Sequence, residues 1–331
     1  MFQKKKSIAA LALISLLASS LLAASAHAST STKKLRIGVI YLDTQGFYGG
    51  VKKGIVVGGA ATSQKVTILE NNALDDPTKE SVFFSTLIAQ KVGAIIVSAS
   101  SGKASVPAFK AAAKAKIPVI CYNTCIAEPY MSKYVAAYAL GDPVKFGYKL
   151  GLAAADYFAR AGISAPKIAV VNCEFVEVCI SRRAGFEKAL KEKVPGYTIV
   201  ANQKGGDASA SLTAAQDMLT ANPNVDALMG EYGDATVGAI KAVENAGKTG
   251  KIVVFGGDMT AALANYLIDN KILKAQVDIS GQTMGKVAIK AAIDAINGKK
   301  LKNIVVPVQV DIYTTSASAS AWLKAHFDGI P

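Results

Sequence analysis

Short apolar runs alternate with helical patterns along most of the sequence, and this alternation restricts the possible folds more than any other feature. The runs span four to eight residues and are rich in valine and isoleucine, which suits strands buried on both faces of a parallel sheet. Helical stretches between such runs are typical of repeated βαβ units. The sequence therefore predicts an α/β fold with doubly wound parallel sheets.

The predicted elements form two successive series. The first comprises strand 35–42, helix 50–62, strand 65–70, helix 78–90, strand 94–98, helix 103–115, strand 117–122 and strand 134–140. After the break at Gly141-Asp142-Pro143, a long helix is predicted to end near Arg160. The second series comprises strand 168–172, helix 182–192, strand 197–202, helix 209–221, strand 225–229, helix 235–246, strand 252–255, helix 260–270 and strand 273–278. Helix 282–297 and strand 304–310 follow, and Ser316 begins a stretch that we expect to be a loose tail.

The first 28 residues have the pattern of a cleaved secretory signal peptide. Three lysines precede an apolar run from residue 8 to 22, and Ala26-His27-Ala28 forms a small-residue exit. An uncleaved anchor is the alternative, although the run is short for a membrane-spanning helix. No cysteine lies near the cut, so a lipid-anchored form is not expected. We expect a mature protein that is free in the periplasm.

The charge of the chain is strongly positive but spread out. The formal net charge is +13, and removing the three signal lysines leaves +10. Lysines recur throughout without a dense stripe or a recognisable nucleic-acid-binding motif. A solvated basic surface is therefore favoured over a nucleic-acid partner.

The four cysteines fall into two closely spaced pairs, each after a predicted strand. Cys121 precedes Cys125 by four residues, and Cys173 precedes Cys179 by six. An even count at close spacing in an exported protein indicates two local disulfides. Metal binding is the alternative, but the mature chain contains a single histidine, His326.

The sequence lacks the motifs that are typical of several enzyme classes. Histidine-dependent catalysis is disfavoured because His27 leaves with the signal and His326 lies near the end of the sequence. The Gly247-Lys248-Thr249 stretch imitates part of a phosphate loop, but it follows a helix, and Ala242 replaces the first glycine. No G-x-G-x-x-G follows the first strand. We therefore expect neither a cofactor nor catalysis.

Polar residues recur at the carboxyl ends of predicted strands, where open α/β sheets bind ligands. The candidates are Asp43, Gln45, Asn123, Thr124, Glu231, Tyr232, Asp258, Gln276 and Asp278, beside the aromatic residues Phe47 and Tyr48 in a predicted loop at 46–50. Carboxylates accept hydroxyl hydrogen bonds and aromatic faces pack on sugar rings, so this set suits a polyhydroxylated ligand. The alternative is that the aromatic pair caps the core and the polar residues are solvated.

Several local motifs resemble those of the type I periplasmic binding proteins, in particular the ribose-binding-like solute receptors of sugar ABC transporters. The resemblance covers residues 35–313. It is carried by the opening strand with Gln45-Gly46-Phe47-Tyr48, Ile117-Pro118-Val119-Ile120 followed by Asn123-Thr124, Arg182-Arg183-Ala184-Gly185-Phe186, and Val253-Val254-Phe255-Gly256-Gly257-Asp258. The last motif implies that Asp258 is a sugar ligand.

The departures from the ribose type bear on the ligand. Asn123-Thr124 replaces an Asp-Arg pair, Tyr232 stands where an asparagine is usual, and Arg182 matches the binding arginine only loosely. Acidic residues outnumber basic ones among the candidates, which favours a neutral sugar or polyol over an anionic one. We expect Asp258→Ala to weaken binding with little effect on folding.

The resemblance implies two Rossmann-like lobes joined by a three-stranded hinge, with crossings near residues 139–141, 278 and 307. The expected division is a first lobe at 33–139 and 279–306, a second lobe at 140–278 and 307–315, and a tail at 316–331. It further implies a monomeric receptor that closes on its ligand and delivers it to an inner-membrane ABC permease. The alternatives are a secreted glycoside hydrolase that uses Asp43 and Asp258, and a receptor for a non-sugar ligand such as a nucleoside. A repressor core would need a DNA-binding headpiece, where this sequence has a signal peptide.

Overall fold

A computed structural model describes residues 34–174 and 176–331, which form two six-stranded sheets flanked by helices. The predicted signal peptide lies outside the described residues. The elements that build the first sheet and its helices are β1 (Leu35–Tyr41), α1 (Gly46–Ala60), β2 (Val66–Asn72), α2 (Pro77–Ala89), β3 (Ala94–Val97), α3 (Val106–Lys114), β4 (Val119–Tyr122), α4 (Tyr130–Tyr134) and β5 (Val135–Gly141).

The second series begins with α5 and builds the second sheet. Its elements are α5 (Pro143–Ala161), β6 (Lys167–Asn172), α6 (Glu177–Lys193), β7 (Thr198–Lys204), α7 (Ala208–Ala221), β8 (Ala227–Gly230), α8 (Gly233–Asn245), β9 (Val253–Gly257), α9 (Ala261–Asp269) and β10 (Leu273–Asp278). The remaining elements are α10 (Gly281–Ile296), β11 (Val305–Val308), β12 (Asp311–Tyr313) and α11 (Ser316–Ala325).

Both sheets have the order of a doubly wound fold. The first runs β11-β5-β4-β3-β1-β2 and the second β12-β10-β9-β8-β6-β7. All described pairs are parallel except β12, which lies antiparallel to β10. The inner strands are buried on both faces, as the apolar runs predicted, and Ile37, Val39, Val170 and Val254 are inaccessible to solvent. The predicted fold class is confirmed.

The chain passes between the sheets at three places, and we refer to the two halves as the first and second lobes. It leaves the first sheet after β5, returns between β10 and α10, and leaves again between β11 and β12. The predicted strand 304–310 is therefore wrong as a single element, because its two ends pair with different sheets. Three adjacent connections allow two lobes to rotate relative to each other.

Helix α1 begins four residues before the predicted start, so the predicted loop at 46–50 is its first turn. Gly50, one of the glycines that suggested a loop, and Gly54 instead allow close packing against α10. A Cβ atom added at Gly54 would lie 2.1 Å from the main-chain oxygen of Gln282, and one at Gly281 would lie 2.4 Å from that of Phe47. Glycine in this stretch therefore serves helix packing.

The expected loose tail at 316–331 is wrong, since residues 316–325 form α11. Thr315 caps this helix through the Ser318 main-chain N–H, and the Ser318 hydroxyl closes a capping box. Ala319 and Trp322 are buried in the hydrophobic core of the second lobe. A serine-rich sequence thus forms a helix because two of its side chains pack against α9 and the second sheet.

Side-chain caps in the local sequence account for the starts of several other helices, including α2 and α5. Asp76 accepts hydrogen bonds from the Thr78 and Lys79 main-chain N–H groups, and Pro77 occupies the first position of α2. Asp142 caps α5 in the same manner by accepting from the Lys145 N–H at 2.9 Å. No helix among the described residues has the length and apolar character needed to cross a membrane.

Candidate functional site

The first lobe contributes the start of α1 and the loop that follows β4. Phe47 is buried in the core and packs edge-on against Tyr48 with ring centroids 5.2 Å apart. Asp43 is half-buried and accepts a hydrogen bond from the Thr44 main-chain N–H, while Gln45 is exposed at the N-cap of α1. Of these two aromatic residues, only Tyr48 carries a polar group, and its hydroxyl accepts a hydrogen bond from Asn123.

Asn123 and Thr124 lie inside the loop that the Cys121–Cys125 disulfide closes, as the cysteine spacing predicted. The Asn123 side chain donates to the Tyr48 hydroxyl at 3.1 Å, and the backbone at Asn123 is left-handed with φ of 55°. Tyr138 holds this loop by donating to the Asn123 carbonyl at 2.7 Å. Thr124 points inward and donates to the Ala99 carbonyl at 2.8 Å. Asn123 therefore lies next to Tyr48, whereas Thr124 supports the loop.

The second lobe contributes a buried ion pair at the carboxyl end of β9. The Nη1 atom of Arg182 lies 3.6 Å from Oδ2 of Asp258 and donates to the Glu231 carbonyl at 2.8 Å. Its guanidinium lies 4.0 Å from the ring centroid of Phe146, a stacking contact that had no signal in the sequence. The Arg182 and Asp258 side chains are 6% and 13% exposed. We call Arg182, Asp258, Glu231 and Phe146 together the Arg182 cluster.

Arg183, the other arginine considered for the cleft, points elsewhere. It contacts Glu174 at 3.0 Å and Glu187 one turn further along α6. The helix begins at Glu177, five residues before the predicted start, so both arginines lie inside it and project in different directions. The structure therefore assigns Arg182 to the cluster.

Glu231 is completely buried beside the Cys173–Cys179 disulfide, the second predicted pair. Its Oε2 atom accepts from the Cys173 main-chain N–H at 2.9 Å. Burial raises the pKa of Glu231 to about 7, although the Cys173 hydrogen bond opposes the shift. Tyr232 turns away from this residue and donates to the Gly206 carbonyl at 2.6 Å.

Gln276 and Asp278 hold the main chain around Asp258. Gln276 donates to the carbonyls of Gly257 and Asp258 at 2.6 and 2.8 Å. Asp278 accepts from the Met259 N–H at 3.0 Å, and burial raises its pKa to about 7. The backbone at Asp258 is left-handed with φ of 59°, a conformation that needs such support. Both side chains are therefore placed to support the turn that carries Asp258.

Three polar atoms of the Arg182 cluster have no hydrogen-bond partner within residues 34–174 and 176–331. They are Oε1 of Glu231, Oδ1 of Asp258 and Nε of Arg182. Buried polar atoms normally have partners, and leaving one unpaired costs about 1 to 3 kcal/mol. Two acceptors beside one donor match the hydroxyl groups of a small ligand.

Charged groups of the two lobes influence each other's pKa values across this region. Burial raises the pKa of Tyr48 to about 12, and Asp258 of the second lobe adds to the shift while Arg182 opposes it. Asp234, at the start of α8, has a raised pKa from burial and from the nearby Asp43 carboxylate of the first lobe. Asp234 had no signal in the sequence, because a polar residue at a helix start is commonplace.

One group in the described part of the chain has the spacing of metal ligands. Sulfur atoms of Cys173 and Cys179 and a carboxylate oxygen of Glu231 lie within 4.8 Å of one another. Because both sulfurs belong to a disulfide, the group offers no thiolate, and thiolates are the cysteine form that binds metals. The geometry therefore favours the disulfide interpretation of the cysteine spacing.

Two α/β lobes with facing polar surfaces and three connections define a ligand-binding receptor of the hinge-closing type. The family described as "Periplasmic binding protein domain" matches residues 37–300. The chain is also 47% identical over 316 residues to the ABC transporter periplasmic-binding protein YphF of Escherichia coli (strain K12), covering 96% of this chain and 97% of the relative. The chain belongs to the periplasmic binding protein family of ABC transporters, and this membership places it in the periplasm.

More distant relatives are ribose receptors. The ribose import binding protein RbsB of Bacillus subtilis (strain 168) is 26% identical over 267 residues, covering 80% of this chain and 83% of the relative. Among solved structures, an ABC transporter solute-binding protein of Actinobacillus succinogenes with bound D-allose has a TM-score of 0.78 at 23% identity, covering 87% of this chain and 99% of that one. A galactofuranose-binding protein has a TM-score of 0.80 at 19% identity, with coverage of 89% and 99%. These structures support the fold, and the relatives are binding proteins.

Proposed function

We propose that the protein binds one small neutral sugar or polyol between its lobes and delivers it to an inner-membrane ABC permease. The observation that carries this proposal is the Arg182 cluster, with two unpaired acceptors and one unpaired donor buried opposite Tyr48. Neighbouring hydroxyl groups satisfy such atoms without bringing a charge into the site. The ribose, allose and galactofuranose named for its relatives belong to this chemical class.

In this proposal each lobe has a distinct task. Asp258 and Glu231 accept hydroxyl hydrogen bonds in the second lobe, and Arg182 donates one. Tyr48 and Asn123 offer polar contacts from the first lobe, and Phe47 supports the Tyr48 ring. Because the ligand touches both lobes, it binds the closed arrangement more tightly than the open one, and closure follows.

A neutral ligand follows from the charges around the cleft. Arg182 is already neutralised by Asp258, and the Asp43 and Asp234 carboxylates lie close to each other nearby. A sugar acid or phosphate would therefore meet net repulsion. A nucleoside remains an outcome of the test described below, since its ribose offers similar hydroxyl groups.

We further propose that the mature chain begins after the signal peptide at residues 1–28, acts as a monomer and has no catalytic activity. A hydrolase would need Asp43 and Asp258 as a catalytic pair. Asp43 is bonded to its neighbouring main chain and Asp258 is paired with Arg182, so neither contact favours that chemistry.

Titration calorimetry against D-allose, D-arabinose, D-fucose and myo-inositol, followed by chromatography of the sugars, tests this proposal. We expect saturable binding of at least one compound at a stoichiometry of one and its recovery unchanged. Arg182→Lys should weaken that binding because it removes the planar donor geometry, whereas Arg183→Lys serves as the matched control on the same helix. The hydrolase alternative is tested with the methyl glycosides of the three sugars, which contain a cleavable glycosidic bond, and release of the free sugar and methanol would favour a hydrolase.

A further inference from the structure

The last sixteen residues contact both lobes, although the sequence suggested a loose tail. Helix α11 belongs to the second lobe, where Trp322 is 2% exposed and packs in the core with residues of α9. The Ser316 hydroxyl donates to the Ile268 carbonyl at the end of α9, at 2.8 Å. This half of the segment is therefore fixed to the second lobe.

Residues 327–331, which we call the terminal segment, return to the first lobe. The main-chain N–H of Gln282 donates to the Pro331 oxygen at 3.1 Å, and the Gln282 side chain donates to the Ile330 carbonyl at 2.8 Å. Lys53 of α1 forms an ion pair with Asp328. These contacts fix the terminal segment to α1 and α10.

The close fit at Gly50 shows that the terminal segment is packed into the first lobe. A Cβ atom added at Gly50 would lie 1.9 Å from the Pro331 oxygen, closer than any side chain tolerates. On the other side, a Cβ atom at Gly329 would lie 3.2 Å from Cβ of Ala261, the first residue of α9. The terminal segment thus fills the space between the N-terminal ends of α1 and α9.

Both contact points lie three residues after a predicted ligand residue. Gly50 follows Phe47 on α1, and Ala261 follows Asp258 at the carboxyl end of β9. Gln282 comes directly after the crossing between β10 and α10, so the terminal segment runs beside the hinge. Any rotation of one lobe against the other must stretch or break its contacts.

We propose that the terminal segment is a positioning element that holds the Phe47 turn of the first lobe against the Asp258 turn of the second. It adds a fourth, noncovalent connection to the three crossings and favours the arrangement in which both halves of the site face each other. The effect on affinity rests on the proposed function, whereas the effect on the ligand-free protein does not.

Two variants release the terminal segment by different means. Gly50→Ala displaces the Pro331 main chain, and Gln282→Met removes the side-chain donor to Ile330 while preserving length. Gly59→Ala is the matched control, because it lies on the same helix and its Cβ atom would meet its nearest neighbours at 3.7 Å, an ordinary contact. Thermal unfolding shows whether each variant remains folded.

Small-angle scattering of the ligand-free proteins is the primary measurement, with titration of D-allose as the second. We expect both release variants to have a larger radius of gyration than the wild type and the Gly59→Ala control. Losing one or two net hydrogen bonds should weaken D-allose binding by about fivefold to thirtyfold. A lower unfolding temperature with unchanged scattering in both variants would mean a purely structural role and would overturn the proposal.

The two readouts separate this inference from the proposed function. If the wild type fails to bind D-allose or any other neutral sugar, the proposed function is contradicted, and scattering alone still decides the role of the terminal segment. If the variants have a larger radius of gyration without ligand but bind the sugar with wild-type affinity, the terminal segment does not position the site. That result also overturns the proposal.

Discussion

Asp258 is the residue at which ligand binding and folding are most closely coupled. Its carboxylate lies 3.6 Å from the Arg182 guanidinium, and both side chains are largely buried. Removing one partner of a fully buried pair costs about 3 to 5 kcal/mol. Here Arg182 retains its bond to the Glu231 carbonyl and its contact with Phe146, which reduces the cost. We therefore expect Asp258→Asn to lower the free energy of unfolding by about 2 to 3 kcal/mol.

The left-handed backbone at Asp258 separates the asparagine variant from the alanine variant. Asparagine tolerates a φ of 59°, whereas alanine there costs roughly 1 kcal/mol more. Asp258→Ala should thus lower the free energy of unfolding by about 3 to 4 kcal/mol. The sequence alone predicted little effect of Asp258→Ala on folding. The structure leads to a larger predicted loss of stability, because Arg182 is buried beside the carboxylate.

Binding should suffer as well, because a ligand hydroxyl loses a charged acceptor. A hydrogen bond to a charged group contributes about 1.5 to 3 kcal/mol, which corresponds to roughly 10- to 150-fold in affinity. Urea unfolding of the free protein and calorimetry with the sugar found by titration measure the two effects separately. Arg182→Met and the double variant complete a cycle whose coupling energy isolates the pair. An Asp258→Asn protein with wild-type stability and affinity would refute this account of the cluster.

Three further predictions concern other parts of the molecule. Because burial raises the pKa of Glu231 to about 7 from 4.5, the folded protein keeps a proton that the unfolded chain releases. Glu231 should therefore lower the free energy of unfolding by on the order of 3 kcal/mol as pH rises through this window, and Asp278, whose pKa burial also raises to about 7, adds to the slope. Glu231→Gln should remove the Glu231 share and make the slope shallower; an unchanged slope contradicts the assignment. Replacing both cysteines of either disulfide with serine should cost about 2 kcal/mol, since each closes a short loop, and calorimetric unfolding measures it; stability equal to the wild type would contradict this. Trp322→Ala should cost about 3 to 5 kcal/mol in urea unfolding because it empties a core position, whereas a loss below about 0.5 kcal/mol would mean that α11 is only loosely attached.

The sheets could be predicted because their inner strands are buried on both faces. Such strands read as continuous apolar runs, and all ten strands through β10 fall within two residues of the predicted positions. The C-terminal helix could not be predicted in this way. Only Ala319 and Trp322 of α11 are buried, so the sequence carries little helical periodicity there, and tertiary packing decides the outcome.

The start of α1 was missed for a related reason. Gly46, Gly49 and Gly50 together resemble a loop, but Gly50 serves close packing against Gly281 of α10 and Pro331 of the terminal segment, both more than two hundred positions away. Contacts with such distant residues cannot be predicted from the local sequence.

The candidate site could be predicted at the level of strand ends but not of side-chain direction. The strand-end rule placed Asp258 and Glu231 in one region, and the structure adds Phe146 beneath Arg182. The strand-end rule could not predict that Tyr232 turns towards Gly206 or that Gln276 supports the main chain of Asp258. These side-chain directions depend on neighbouring residues from other parts of the fold. The individual ligand contacts stay predictions.

The most direct test of the central claim is a thermal unfolding screen of the mature protein against neutral monosaccharides, polyols, nucleosides and sugar acids. A ligand present at 100 times its dissociation constant adds about 2.7 kcal/mol to the free energy of unfolding, a shift that is readily measured. We predict a saturable rise in unfolding temperature with at least one neutral sugar or polyol and none with the sugar acids. Stabilisation by sugar acids or nucleosides alone would contradict the account.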